Sequence, residues 1–124
     1  MDDLIISGNK QKPDLVFSAT TGELRVSGQS LPENATLLYG PALDWIEEYS
    51  KAPAKQTVFS LQMKYYNTAS SKMFFSIIKR LNIIYKGGVD VIIEWYFQSD
   101  DEDMLDAGEY FRDLVDIPFK FIPY

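Results

Sequence analysis

The residues best suited to chemistry sit together in Tyr65-Tyr66-Asn67-Thr68-Ala69-Ser70-Ser71-Lys72-Met73-Phe74-Phe75. An alternating strand here runs into a hydroxyl-rich turn that opens the strongest amphipathic helix pattern in the sequence. Hydroxyl groups at such a junction lie beside backbone N–H groups that have no intrahelical partner. They also lie at the positive end of the helix dipole, so the place suits a phosphate or another anion. The same residues equally describe a plain N-cap, in which Asn67, Thr68 or Ser70 satisfies a backbone donor for about 1 kcal/mol. Spacing by itself favours the cap.

Other chemistries are excluded by composition. The 124 residues include no cysteine and no histidine, which removes disulfides, thiolate or imidazole metal sites, thiol nucleophiles and Ser-His or Cys-His dyads. The acidic run Asp100-Asp101-Glu102-Asp103 lacks the alternating ligands and central glycine of a calcium loop, and it reads as a solvated helix start opposing the dipole. No glycine-rich phosphate loop, nucleophile elbow or paired-carboxylate motif is present. A net charge of -6 argues against nucleic acid as a partner. Against that acidic background, Lys64, Lys72, Lys79, Arg80 and Lys86 form a basic island with no Asp or Glu among them.

The elements that must position the turn follow from hydrophobic spacing. A chain of this length holds one core, so a single domain over residues 1–124 is expected. Leu4-Ile5-Ile6 reads as a short strand, and Leu15 to Ser18 with Leu24 to Gly28 reads as a hairpin. Pro41 fits the first turn of a helix, which places a short turn near Asn34 to Tyr39 and the first main helix from Pro41 to Ser50. Thr57 to Tyr65 alternates, with Phe59, Leu61, Met63 and Tyr65 on a dry face and Ser60, Gln62 and Lys64 on a wet one. A strand with one wet face belongs to a sheet covered by helices on one side only. The next helix carries Phe74, Ile77, Ile78, Leu81, Ile84 and Tyr85 on one stripe and stops at Gly87-Gly88. Val89 to Tyr96 is the following strand, completing an expected right-handed βαβ crossover. Met104 to Val115 has helical spacing, and Pro118 to Ile122 reads as a last edge strand. Tyr65, Tyr66, Trp95, Tyr96 and Phe97 gather at the ends of neighbouring strands, as packing or as a binding surface. The acidic start, Met1-Asp2-Asp3, is unlike a signal peptide and no apolar run is long enough to span a membrane, so a cytoplasmic location is expected.

Several of these stretches carry a resemblance. Ser30-Leu31-Pro32-Glu33-Asn34, Pro41, Trp45, the turn from Tyr65 to Lys72, and Glu94-Trp95-Tyr96 are similar, in order and spacing, to the SiaC family of bacterial regulatory phosphoproteins. The resemblance implies an α/β, STAS-like single domain of the SpoIIAA anti-sigma-factor-antagonist type, a mixed sheet with helices packed on one face. It implies a non-enzymatic adaptor without cofactors. Thr68 is then the phosphoacceptor of a SiaB-like protein kinase and the substrate of a SiaA-like phosphatase of the PP2C class. The unphosphorylated form binds and regulates a diguanylate cyclase in cyclic-di-GMP signalling. Ala69 stands where the family pattern reads Thr-Ser-Ser, leaving the acceptor intact. Partner contacts are expected at Tyr65, Tyr66, Asn67, Ser70, Ser71 and Lys72. The competing reading is a STAS-like sensor that holds a small ligand between the sheet and the Glu33-Asn34 loop.

Overall fold

A computed structural model describes all residues from Met1 to Tyr124. Its elements run β1 (Leu4–Ile6), β2 (Asp14–Phe17), β3 (Glu23–Ser30), α1 (Ala35–Tyr49), β4 (Gln56–Tyr66), α2 (Thr68–Lys86), β5 (Asp90–Phe97), α3 (Glu102–Asp113) and β6 (Phe119–Pro123). The six strands form one sheet in sequence order, antiparallel across β1, β2 and β3 and parallel from β3 through β6. Each parallel step is bridged by a helix, the connection that parallel neighbours require.

Strand alternation decides which face is covered. Phe17, Leu24, Phe59, Ile93 and Phe119 lie side by side across the sheet, and Leu15, Val26, Leu61, Trp95 and Phe121 form the next row. Both rows point into the core. The intervening row, Val16, Arg25, Ser60, Glu94 and Lys120, is polar apart from Val16 and faces out. Trp45 of α1 packs against Phe17, Phe74 of α2 against Tyr66, and Phe111 of α3 against Trp95, so the helices share the apolar face. The mixed sheet covered on one side is the expected fold.

Two details depart from the expected boundaries. The first helix starts at Ala35 rather than Pro41, with Asn34 as its cap, and carries Pro41 inside it. A mid-helix proline normally clashes with the Cβ of the residue before it and leaves a carbonyl without a donor. Here that residue is Gly40, which has no Cβ, and the freed carbonyl belongs to Leu37, on an exposed part of the helix where water reaches it. Likewise α3 ends at Asp113, so Leu114 and Val115 lie beyond it.

A further departure concerns β4. Its pairing with β3 passes from Gly28 opposite Met63 to Gln29 opposite Tyr65, leaving Lys64 as the extra residue of a bulge. Gly28 has φ +107°, a conformation that favours glycine. Beyond the bulge the faces exchange. Tyr66 turns inward, with ring centroids 5.2 Å from Phe74 and 6.5 Å from Trp95, and Tyr65 is 57% exposed instead of dry.

On the same Trp95, Gly108 lets α3 approach the sheet. A Cβ there would lie 2.6 Å from the Trp95 indole and 2.8 Å from Phe121, while the indole N–H donates to the Met104 carbonyl at 2.9 Å. Gly108→Ala should therefore cost about 2 kcal/mol despite its better helix propensity. Urea unfolding checks this, and an unchanged midpoint would show that α3 can shift away without loss.

Candidate functional site

The hydroxyl turn is anchored from below. Asn67 is the N-cap of α2: its side-chain oxygen accepts the Ser70 N–H at 2.9 Å, and its backbone carbonyl accepts the Ser71 N–H at 3.0 Å. The remaining Asn67 groups reach the end of β3, its backbone N–H donating to the Ser30 carbonyl at 3.0 Å and its amide to the Pro32 carbonyl at 3.4 Å. One asparagine thus fixes the turn to both its own helix and the segment leading into α1.

Below it lies a buried chain of hydroxyls. The Ser30 hydroxyl is 2.5 Å from that of Tyr39 and 2.7 Å from that of Ser70, and Ser70 donates to the Ser30 carbonyl at 3.2 Å. A single assignment uses every proton: Tyr39 donates to Ser30, Ser30 to Ser70, and Ser70 to the carbonyl. No buried side-chain polar atom in the protein lacks a partner. Burial pushes the Tyr39 phenol up to about 12, against a smaller opposing effect of the Ser30 and Ser70 hydroxyls. Tyr66 is also raised to about 12, first by burial and then by the nearby negative charge of Asp101.

The expected site residues therefore divide. Thr68 is exposed, occupies the first position of α2, and its hydroxyl has no hydrogen-bond partner. Its backbone N–H and that of Ala69 are among the donors that a helix start leaves free. Lys72 is exposed one turn further on, Ser71 is half-buried, and Tyr65 is open to solvent. Ser70, expected among the partner contacts, is 0% exposed and belongs to the scaffold. The hydroxyls that hold it, those of Ser30 and Tyr39, come from elsewhere in the chain, so the short motif by itself does not show them. Tyr66 and Asn67 are half-buried, the first as packing and the second as the cap.

Two clefts border the turn. One, of about 320 Å³, is lined by Lys64, Tyr65, Tyr66, Asp101, Asp103 and Met104. The other, of about 230 Å³, runs between α2 and α3. The Glu33-Asn34 loop borders a third hollow, but it lies between Asn9, Gln11 and Lys12 and the start of α1 rather than against the sheet. Asp101 caps α3 by accepting the Met104 N–H at 3.0 Å, and Glu102 and Asp103 fill that helix's first turn. The start of α2 has no acidic residue, so its positive end is uncompensated.

An exposed threonine hydroxyl at a capped helix start, set between surface clefts, fits the class of small regulatory domains whose surface is read by other proteins. The chain belongs to the SiaC family: residues 6–124 match the description "SiaC family regulatory phosphoprotein". It is 30% identical over 119 residues to an uncharacterized protein of Pseudomonas aeruginosa (strain UCBPP-PA14), covering 96% of this chain and 94% of that one. Among solved structures it is similar to SiaC of Pseudomonas aeruginosa, with TM-score 0.92, 28% identity and all of both chains covered. It is also similar to SiaC as the activator in complex with the diguanylate cyclase SiaD of that organism, with TM-score 0.93, 29% identity and 98% and 100% of the chains covered. No helix of the present chain is long and apolar enough to cross a membrane.

Two outcomes test this anchoring. Asn67→Ala should lower stability by about 1–2 kcal/mol, whereas Asn67→Asp, which keeps the capping oxygen and loses only the donor to Pro32, should recover most of it. Equal losses in thermal unfolding would mean that the tie to Pro32 is the stronger part. The two raised phenols set an alkaline limit. Each is neutral when folded up to about 12 but ionises near 10 when unfolded. Their stabilisation is complete below pH 10 and is lost as pH rises towards 12, because the unfolded chain releases its protons first. The tyrosinate absorbance that Tyr66→Phe removes should appear together with the loss of circular dichroism in that window, and Tyr66→Phe should move the unfolding transition to higher pH. Appearance of that absorbance from pH 10 with the fold intact would contradict the assignment.

Proposed function

We propose that this chain is a non-enzymatic phospho-switch adaptor in which Thr68 is the acceptor and the unphosphorylated surface around it binds and regulates a diguanylate cyclase. The observation that carries the reading is the contrast between the hydroxyls of one turn in a member of a phosphoprotein family. Thr68 is exposed and unbonded, while Ser70, two residues on, is wholly buried. A SiaB-like kinase would reach the first and not the second. A SiaA-like PP2C-type phosphatase would reverse the modification. The cyclase partner is supported by the complex of the relative SiaC with SiaD.

The physics of the switch is local. Phosphate on Thr68 adds about -1.5 to -2 charge and three acceptor oxygens at a helix start whose N–H groups are free and whose dipole is uncompensated, so the domain accepts it without refolding. A partner surface fitted to a neutral hydroxyl faces instead a desolvated charge. Without a matching cation that costs several kcal/mol, and each 1.4 kcal/mol is about tenfold in affinity.

Affinity capture from the source bacterium with wild type, Thr68→Ala and Thr68→Glu, together with phosphopeptide mapping, tests the reading. The expected result is phosphate on Thr68 and a diguanylate cyclase retained by Thr68→Ala but lost by Thr68→Glu. A phosphoprotein that binds its cyclase as well as the bare form does would overturn it.

A further inference from the structure

The basic residues of α2 are not equivalent. Arg80 pairs with Glu47 of α1, Lys86 pairs with Asp116 at 3.1 Å, and Lys79 lies over the Phe75 ring, 5.4 Å from its centroid. Lys72 has neither a carboxylate nor a ring against it. Four residues after Thr68, it stands on the same side of the helix one turn on, within reach of whatever Thr68 carries.

Lys72 also heads the groove between α2 and α3, whose other lining residues are Ser71, Phe75, Tyr110, Phe111 and Leu114. Phe75 stacks on Phe111 with centroids 6.2 Å apart to form the floor. At the mouth, Tyr110 is 64% and Leu114 46% exposed, a large apolar area left to water beside the turn. Lys72 is the sole charged residue of the lining. The complement of such a groove is an apolar side chain with a carboxylate next to it.

We propose that the groove receives a partner segment whose apolar side chain seats on Phe75 and Tyr110 while a neighbouring carboxylate pairs with Lys72, and that phosphate on Thr68 releases the segment by drawing Lys72 into an ion pair within α2. This rests on Thr68 as the acceptor. One ammonium then serves two exclusive pairings. In the bare protein it recruits the partner. In the phosphoprotein it is turned inward, and the phosphate repels the carboxylate that it replaced.

The first arm of the test needs no partner. Phosphothreonine is encoded at position 68 in the wild-type background and with Lys72→Gln, and its phosphate is titrated by phosphorus NMR. Lys64, Asp101 and Asp103 line the adjoining cleft in both proteins, so the difference isolates Lys72. The cation should lower the midpoint by about 0.3 pH relative to Lys72→Gln. Identical midpoints overturn the inward pairing and leave the Thr68 switch standing.

The second arm uses the unphosphorylated chain and capture of the cyclase. Lys72→Gln should reduce retention about threefold and Tyr110→Ala about tenfold, with circular dichroism unchanged, and Lys72→Arg should retain it. Undiminished retention overturns the groove as the docking place. If wild type itself retains no cyclase, the docking half falls with the proposed function, and the phosphorus titration still decides the pairing of Lys72.

Discussion

The hydrogen-bonded chain from Tyr39 through Ser30 to Ser70 is the constraint on which the functional end of the domain depends. It joins the interior of α1, the last residue of β3 and the first turn of α2 at a point where a parallel sheet would otherwise leave two helix starts free to move independently. Buried hydroxyls are costly unless every proton and acceptor is used, so a partly formed chain is worse than none. That makes the arrangement all-or-none: Ser70 fits only when Ser30 and Tyr39 are in place. The cap at Asn67 adds bonds to Ser30 and Pro32 above it, and Thr68 inherits a fixed position.

Much of the fold was legible because burial follows period. The alternation along Phe59, Leu61 and Met63 and the stripe along Phe74, Ile77, Ile78 and Leu81 correspond to residues with almost no exposure, and one-sided coverage of the sheet follows from the first of these. What was not legible depends on pairing between distant segments. The bulge at Lys64 is a register shift against Gly28, and no property of β4 by itself signals that Tyr65 and Tyr66 exchange faces. The glycine in Ser27-Gly28-Gln29 is the available clue, since a glycine inside a strand often marks a bulge. The continuation of α1 through Pro41 required weighing Gly40 and Asn34 together, where proline alone says start.

The candidate site shows the same division. Its location was readable as a hydroxyl-rich helix start, and the family resemblance singled out Thr68. The separation of Thr68 from Ser70 needs more than their two-residue spacing, which fixes only relative direction; which direction is inward depends on the helical phase of what packs there. Ser70 lies on the same side as Phe74 and Ile77, the buried stripe, so helical phase extended backwards through the turn assigns it to the interior. Thr68 then falls off the stripe. Phase carried across the cap is the sequence signal that separates them.

The charge distribution follows from the demands of such a surface. A protein with net charge -6 keeps its α2 cations mostly occupied, Arg80 bracing α1 and Lys86 holding the segment after α3. These pairs are exposed and each contributes little to stability, but they remove positive charge from the sides of the domain. The unpaired cation of α2, Lys72, is left one turn from Thr68, at a helix start that, unlike that of α3, has neither an acidic first turn nor a charged cap. Because stability resides in the apolar rows and the buried hydroxyls, the phosphate proposed for Thr68 would change the charge there by almost two units and leave the fold that presents it the same.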